Sequence, residues 1–557
     1  KSQKSVRFRG MLAICMSSSN ARTGLYLRTS KKLSSKVLSL DGRGFCTNLG
    51  SMSSSLREWD ALQNLSEIPL LKEILMAPET AKPNSETDES ESKAISPPKH
   101  KRPRLNKNPN PSKIIIESSS NGMTPSDLGE GFVKYLESKF NTSQKEAIRA
   151  GACERGFTLI KGPPGTGKTT TLGALLNALH LREFNIYHKN VLNIAKTTSG
   201  AEADEAWEEL RTKKPHILVA APSNAAVDNV LQLVVEKGFL DGNGKRYNPS
   251  VVRVGRRSAE YSRNCSLEDK VEAVLSASKG ELENKIKELS TQMGEHYHQV
   301  IDSISKIRCL ISAVKNPLPK GWEARVICQN KSYKYYYVDH IKKTTQMEPP
   351  IVSADIPVVA IETMPEYSIY AGNLIQALEA YDSKRSEAKR IESGLCLRMD
   401  PGGKRGAREQ LEGDLLDAAH IVFATLSSSG IPCLQRSRPF NVVVIDEAAQ
   451  GVELSTLVPL RLGSSHCVLV GDPQQLSATV FSKTGTATQY DRSLFQRLEN
   501  CGHKVHMLDI QYRMHPSISA FPRATFYNNI LKDGPNVLLP NYKKSYHQMV
   551  AFQPFVF

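Results

Sequence analysis

No CxxC pair occurs among the ten cysteines of this 557-residue chain. That argues against a disulfide framework or a zinc ribbon and favours a reducing compartment. No apolar run approaches the roughly 18 residues that a helix needs to cross a bilayer, so no membrane association is expected. Acids are missing altogether from residues 1–40, where nine Lys/Arg stand among many serines. Such a stretch cannot bury much apolar surface and is expected to stay disordered. Being basic, Ser-rich and acid-free, it also reads as an organellar transit peptide, with a solvated tail as the alternative. What is present fits a soluble chain of three or four domains: 39% hydrophobic and 23% charged residues, with 73 Lys+Arg against 57 Asp+Glu. The net charge of +16 points to a polyanionic partner, nucleic acid first.

The charge is unevenly placed. From Asp41 to Ser96 there are ten acids against five bases, and Pro97–Lys107 (PPKHKRPRLNK) then carries five bases and no acid. Residues 1–107 hold a net +9 and the other 450 residues +7, so the basic excess per residue belongs to the N-terminal segments. The proline-flanked basic cluster reads as a nuclear-import signal, against a solvated linker run. Residues 1–55 read as the basic tail, 56–78 as an amphipathic docking helix and 79–125 as the linker carrying that signal. Beyond Asn141, short apolar runs alternate with helix-length segments: Phe157–Ile160, Ile217–Ala221, Ile421–Ala424, Val442–Ile445 and Cys467–Val470. This alternation predicts an α/β fold with a parallel sheet flanked by helices. Residues 266–315 are polar with helical period, the pattern of a projecting arm that returns through 352–414.

The run Phe157–Ile160 leads through Lys161 into Gly162-Pro163-Pro164-Gly165-Thr166-Gly167-Lys168-Thr169-Thr170, a fit to G-x-x-x-x-G-K-[ST] between a strand and a helix. The glycines let successive N–H groups turn inward as an anion nest at a helix N-terminus. Lys168 would reach the β- and γ-phosphates, and the Thr169 hydroxyl would coordinate Mg²⁺. The second carboxylate-bearing strand is Val442–Ile445, followed by Asp446-Glu447-Ala448-Ala449-Gln450. Asp446 would hold Mg²⁺ and Glu447 would orient and deprotonate the attacking water. ATP and Mg²⁺ are therefore the cofactors expected.

Further segments select among P-loop enzymes. They are Asn141-Thr142-Ser143-Gln144, the run Ala221–Asn229 (APSNAAVDN), the run Ala424–Gly430 (ATLSSSG), Gly471–Leu476 (GDPQQL) and Gln511–Pro516 (QYRMHP). In this order the chain resembles the superfamily 1B helicases of the senataxin and nonsense-mediated-decay helicase group, nearest the senataxin-like branch, over about Asn141 to Phe557. The resemblance implies a first RecA-like domain over 126–265 and 415–508, and the start of a second lobe over 509–557, with the later motifs beyond Phe557. It implies that Gln144 reads adenine, that Gln475 senses the γ-phosphate, that Arg513 reaches that phosphate from the second lobe, and that Tyr512 lies beside the base or sugar. It also implies that Ser223, Asn224, Asn229, Thr425 and Ser427 grip the phosphates of single-stranded RNA or DNA, an RNA–DNA hybrid included. Ser477 departs from the proline usual after GDPQQL.

Residues 316–351 interrupt the arm. Within them Gly321-Trp322-Glu323, Tyr335-Tyr336-Tyr337, His340, Thr345 and Pro350 resemble a three-stranded WW module, in which Trp322 and Pro350 would form the buckle. Such modules take a proline-rich ligand in polyproline-II form. Met347 stands where a second tryptophan is expected, and a thioether is a poorer platform for a proline ring than an indole. The alternative is an aromatic β-hairpin. Two function classes are consistent with these motifs: an ATP-dependent nuclear helicase, or a non-enzymatic scaffold that binds nucleotide or nucleic acid and recruits a proline-rich protein.

Overall fold

The computed structural model describes residues 13–18, 25–29, 53–75, 128–197, 201–255, 264–315, 322–329, 332–347, 364–399, 404–480 and 483–542, with the single positions 361 and 549. The basic cluster 97–107 lies outside them, as do Pro350 and the side chain of Trp322. Residues Lys1–Met52 form one unit and Ser53–Phe557 another. In the first, Ala13–Ser18 pairs antiparallel with Leu25–Thr29, Ala13 opposite Thr29. These two paired strands, AICMSS and LYLRT, lie inside the stretch expected to be disordered.

The second unit is built on seven parallel strands: β1 Gly156–Lys161, β2 Ile217–Ala221, β3 Val251–Val254, β4 Ile421–Thr425, β5 Val442–Ile445, β6 His466–Gly471 and β7 Val505–Met507. Their order across the sheet is β7-β1-β6-β5-β2-β4-β3. The central strands are buried along their whole length. That is why they read as unbroken apolar runs: both faces are covered, so no polar face alternates with the apolar one. Leu218, Val443, Ile445, Cys467 and Leu469 join one core. Their neighbours Ile217, Val219, Val442, Val444 and Val468 join the core on the opposite face, the period-two division that a strand imposes.

The helices that position the site and build the arm are α1 Ser53–Gln63, α2 Thr142–Cys153, α3 Lys168–Thr197, α4 Asn224–Lys237, α5 Lys279–Lys315, α6 Pro365–Met399, α7 Lys404–Asp417 and α8 Glu453–Leu460. Helices α5 and α6 form the arm; at about 1.5 Å per residue α5 alone is about 55 Å long. Val300, Ile304 and Ile307 pack near Leu374, Ala377 and Leu378, while Leu282 and Leu289 pack near Ala388 and Ile391, so the two run antiparallel. The P-loop helix continues to Thr197. The reason is tertiary: its second half buries Tyr187, Val191 and Ile194 in the base of the arm. Between α5 and α6, Trp322–Gln329, Ser332–Asp339 and Thr344–Gln346 form a three-stranded antiparallel sheet with Ser332–Asp339 at its centre. Upstream, α1 and residues 65–75 dock on the core through Ala61, Ile68, Leu70 and Ile74.

Candidate nucleotide and strand site

Because the strands are parallel and in register, the carboxyl ends of β1, β6 and β5 lie side by side. Lys161 pairs with Gly471, and Leu469 with Ile445. A crevice outside strand ends is where open α/β sheets bind ligands. The Gly162 amide donates to the Gly471 carbonyl at 3.0 Å, tying the P-loop to the end of β6. Gly165 and Gly167 take φ +75° and +80°. A Cβ on Gly165 would stand 2.5 Å from that of Arg513, so this glycine admits the QYRMHP loop as well as the turn. The Tyr512 amide in turn donates to the Gly165 carbonyl at 2.8 Å.

Lys168 Nζ lies 3.1 Å from each Glu447 carboxylate oxygen. Glu447 holds φ +49°, ψ +39°, a left-handed conformation that costs a non-glycine residue about 1–3 kcal/mol and clusters at functional sites. Asp446 is 7% exposed. Burial, then the charge of Glu447, push its carboxyl up to about 6, and Lys168 partly offsets them. A buried carboxylate held this way gains from a cation. With the exposed Thr169 hydroxyl in the first turn of α3, the donor set is hard oxygen, which fits Mg²⁺.

Gln475 Nε2 donates to the Gly162 carbonyl at 3.2 Å and to Asp472 Oδ2 at 2.8 Å. Gln144 is the third residue of α2 and completes a capping box with Asn141. Its Nε2 donates to the Thr166 carbonyl at 3.0 Å, so it braces the P-loop. Asn141 Nδ2 donates to the Tyr512 hydroxyl at 3.0 Å. Arg513 is exposed beside Gly165. The sequence-predicted nucleotide residues thus surround one P-loop.

The strand-gripping candidates emerge from β2 and β4, neighbours in the sheet with Ala221 opposite Thr425. Ser223 caps α4 by accepting from the Ala226 amide, and Asn229 is exposed. Asn224 Oδ1 accepts from Arg253 Nη2 at 2.8 Å. Thr425 Oγ1 donates to Ser428 Oγ at 2.8 Å. The Ser427 carbonyl and hydroxyl accept from Arg57 Nη1 at 2.8 and 3.0 Å. Sequence reading missed Arg57 and Arg253. Arg253 had a signal, a charge inside the apolar run VVRV; it is 1% exposed and pairs with Asp228 at 2.8 Å. Arg57 had none, since its contact spans 370 residues.

In the insert, Tyr337 is buried, Tyr336 half-buried and Thr345 exposed. His340 Nε2 lies 2.7 Å from Glu323 Oε2. Met347 is 58% exposed. Among the described residues no group of three or more His, Cys, Asp or Glu could hold a metal ion, and no helix is long and apolar enough to cross a membrane.

An AAA-domain family model matches residues 139–483, and a second AAA-domain model matches residues 490–557. The chain belongs to the senataxin-like superfamily 1 helicases, an AAA-domain family. Among its relatives, Helicase sen1 of Schizosaccharomyces pombe is 34% identical over 403 residues, 71% of this chain and 20% of that protein. Helicase SEN1 of Saccharomyces cerevisiae is 29% identical over 524 residues, 94% of this chain and 19% of that protein. Probable helicase MAGATAMA 3 of Arabidopsis thaliana is 27% identical over 554 residues, 98% of this chain and 54% of that protein. The chain therefore spans about a fifth of the first two and about half of the third.

Proposed function

We propose that this chain is the nucleotide-hydrolysing and strand-gripping core of an ATP-dependent RNA/DNA helicase that acts in nuclear RNA metabolism. The observation that carries it is the convergence of Lys168, Asp446, Glu447 and Gln475 on the ends of three neighbouring parallel strands. ATP enters with its phosphates in the nest of Gly162–Thr170. Lys168 exchanges the Glu447 carboxylate for phosphate oxygens, which leaves Glu447 to orient a water and take its proton. Thr169 and Asp446 hold Mg²⁺, which supplies charge neutralisation on the phosphates. Gln144 reads the adenine edge, Tyr512 lies beside the base or sugar, Gln475 responds to the γ-phosphate, and Arg513 stabilises the charge that develops there. Ser223, Asn224, Asn229, Thr425 and Ser427 position a single strand by its backbone without reading sequence.

Names of relatives support a helicase, and the basic cluster 97–107 supports the nucleus. The exposed thioether of Met347 gives a proline-rich ligand no support. Titration of the full chain with Mg-ATP and with single-stranded RNA and DNA tests the reading. Wild-type protein should bind both, and Lys168→Ala should lose Mg-ATP affinity by about tenfold or more, the loss of one charge-assisted contact, with strand affinity retained. Wild-type protein that binds neither ligand would overturn it.

A further inference from the structure

Tyr527 is neither a nucleotide-site nor a strand-site residue in the proposed function, yet it sits on a polar chain that leads to the P-loop. Helix Pro516–Phe526 follows the QYRMHP loop and ends at Tyr527. The next two residues, Asn528 and Asn529, both hold left-handed backbone, φ +50° and +59°. Asparagine tolerates that region better than other non-glycine residues. The turn is closed by the Asn529 amide on the Arg523 carbonyl at 3.0 Å and the Ile530 amide on the Tyr527 carbonyl at 2.8 Å. The ring it presents is 5% exposed.

The Tyr527 hydroxyl donates to Asp472 Oδ2 at 2.7 Å. Asp472 is 2% exposed. The same oxygen accepts from Gln475 Nε2 at 2.8 Å, and Oδ1 accepts from the Gln474 amide at 3.1 Å. Gln475 Nε2 also reaches the Gly162 carbonyl. A continuous chain of hydrogen bonds therefore runs from the segment that carries Arg513, through Tyr527 and Asp472, to Gln475 and the first residue of the P-loop. A buried carboxylate with so few donors depends on each of them. A turn of Gln475 toward a phosphate that keeps its bond to Asp472 gives up its bond to the Gly162 carbonyl, and the Tyr527 bond then keeps Asp472 in place.

We propose that Tyr527 is a positioning residue that couples the Arg513-bearing segment to the phosphate-sensing glutamine, so that nucleotide state is transmitted to strand affinity through Tyr527–Asp472–Gln475. This rests on the reading of Gln475 as the γ-phosphate sensor.

The test measures strand affinity of the full chain, by anisotropy of a labelled single-stranded RNA, with a non-hydrolysable ATP analogue and with ADP. The ratio of the two affinities is the coupling, and about fivefold or more is expected for wild type, the lower end of allosteric couplings. Gln475→Ala should bring the ratio to about one if Gln475 is the sensor. Tyr527→Phe should do the same while Mg-ATP affinity stays at the wild-type value, and Asp472→Asn should match it in the ratio. A Tyr527→Phe protein with the wild-type ratio overturns the proposal while leaving Gln475 as sensor. A lowered melting temperature with the ratio intact does so too, since it marks a purely structural tie. A Gln475→Ala protein with the wild-type ratio overturns both.

Discussion

Asp446 and Glu447 are adjacent acids with different surroundings, and the difference assigns their tasks. Glu447 meets the Lys168 ammonium at 3.1 Å, whereas Asp446 lies in the sheet's end with its carboxyl pushed up to about 6 by burial and by Glu447. A raised carboxyl favours the folded state in its protonated form. The stabilisation is present below the unfolded value near 4 and is lost as pH rises through about 6. At neutral pH the ionised group is therefore a cost that a cation relieves. Mg-dependent ATP affinity should accordingly weaken as pH falls through about 6, measured by titration at fixed Mg²⁺. Asp446→Asn should abolish that dependence, and should raise the urea midpoint of the ligand-free protein at neutral pH by an amount equivalent to about 1–3 kcal/mol. An Asp446→Asn protein with lowered neutral-pH stability would contradict the assignment.

At the scale of elements, Arg253 on β3 fixes the start of α4, because its buried guanidinium holds Asp228 and Asn224 together. Removing one partner of a buried pair leaves the other charge uncompensated, at about 3–5 kcal/mol. Arg253→Ala should cost about that much by denaturant unfolding and should also weaken strand binding, because Asn224 loses its anchor. A loss below about 1 kcal/mol would place the pair among those of surface type. The same residue explains part of what sequence could not show. Strands β2, β4, β5 and β6 were legible because each carries an unbroken apolar run at the centre of the sheet, and β1 because its FTLI run, interrupted only by Thr158, leads into the P-loop. β3 was hidden by the arginine within it, and the edge strand β7 by its brevity, three residues with a histidine in the middle. The length of α3 depends on the arm that packs on its second half, a contact that no local pattern encodes. Within the site, the P-loop and the Asp446-Glu447 pair were readable because phosphate chemistry dictates their spacing. Tyr527 and Arg57 were not, since their partners lie 55 and 370 residues away.

Across the whole molecule, buried histidines set the response to acid. Burial lowers His216 and His420 to about 3, and holds His180 well below its ordinary value. His466, whose two ring nitrogens face the carbonyls of Gly151 and Gly156, is lowered to about 4. Groups depressed on folding contribute stability that is present above the unfolded value near 6.5 and is lost as pH falls. The urea midpoint should therefore drop steadily between about pH 6.5 and 4, opposed only in part by Asp446. A flat profile over that window would show that these rings reach water.

These histidines lie in the sheet and at the base of the arm, so acid unfolding reports on the scaffold that aligns the strand ends. The chemistry at those ends is tested most directly by steady-state ATP hydrolysis of the full chain, with and without a single-stranded RNA, in wild-type protein and Glu447→Gln. The expected result is turnover that the strand stimulates and that Glu447→Gln lowers by about 10²-fold or more, a general-base effect, with Mg-ATP still bound. Turnover indifferent to both the strand and Glu447→Gln would contradict a strand-coupled ATPase built on these residues.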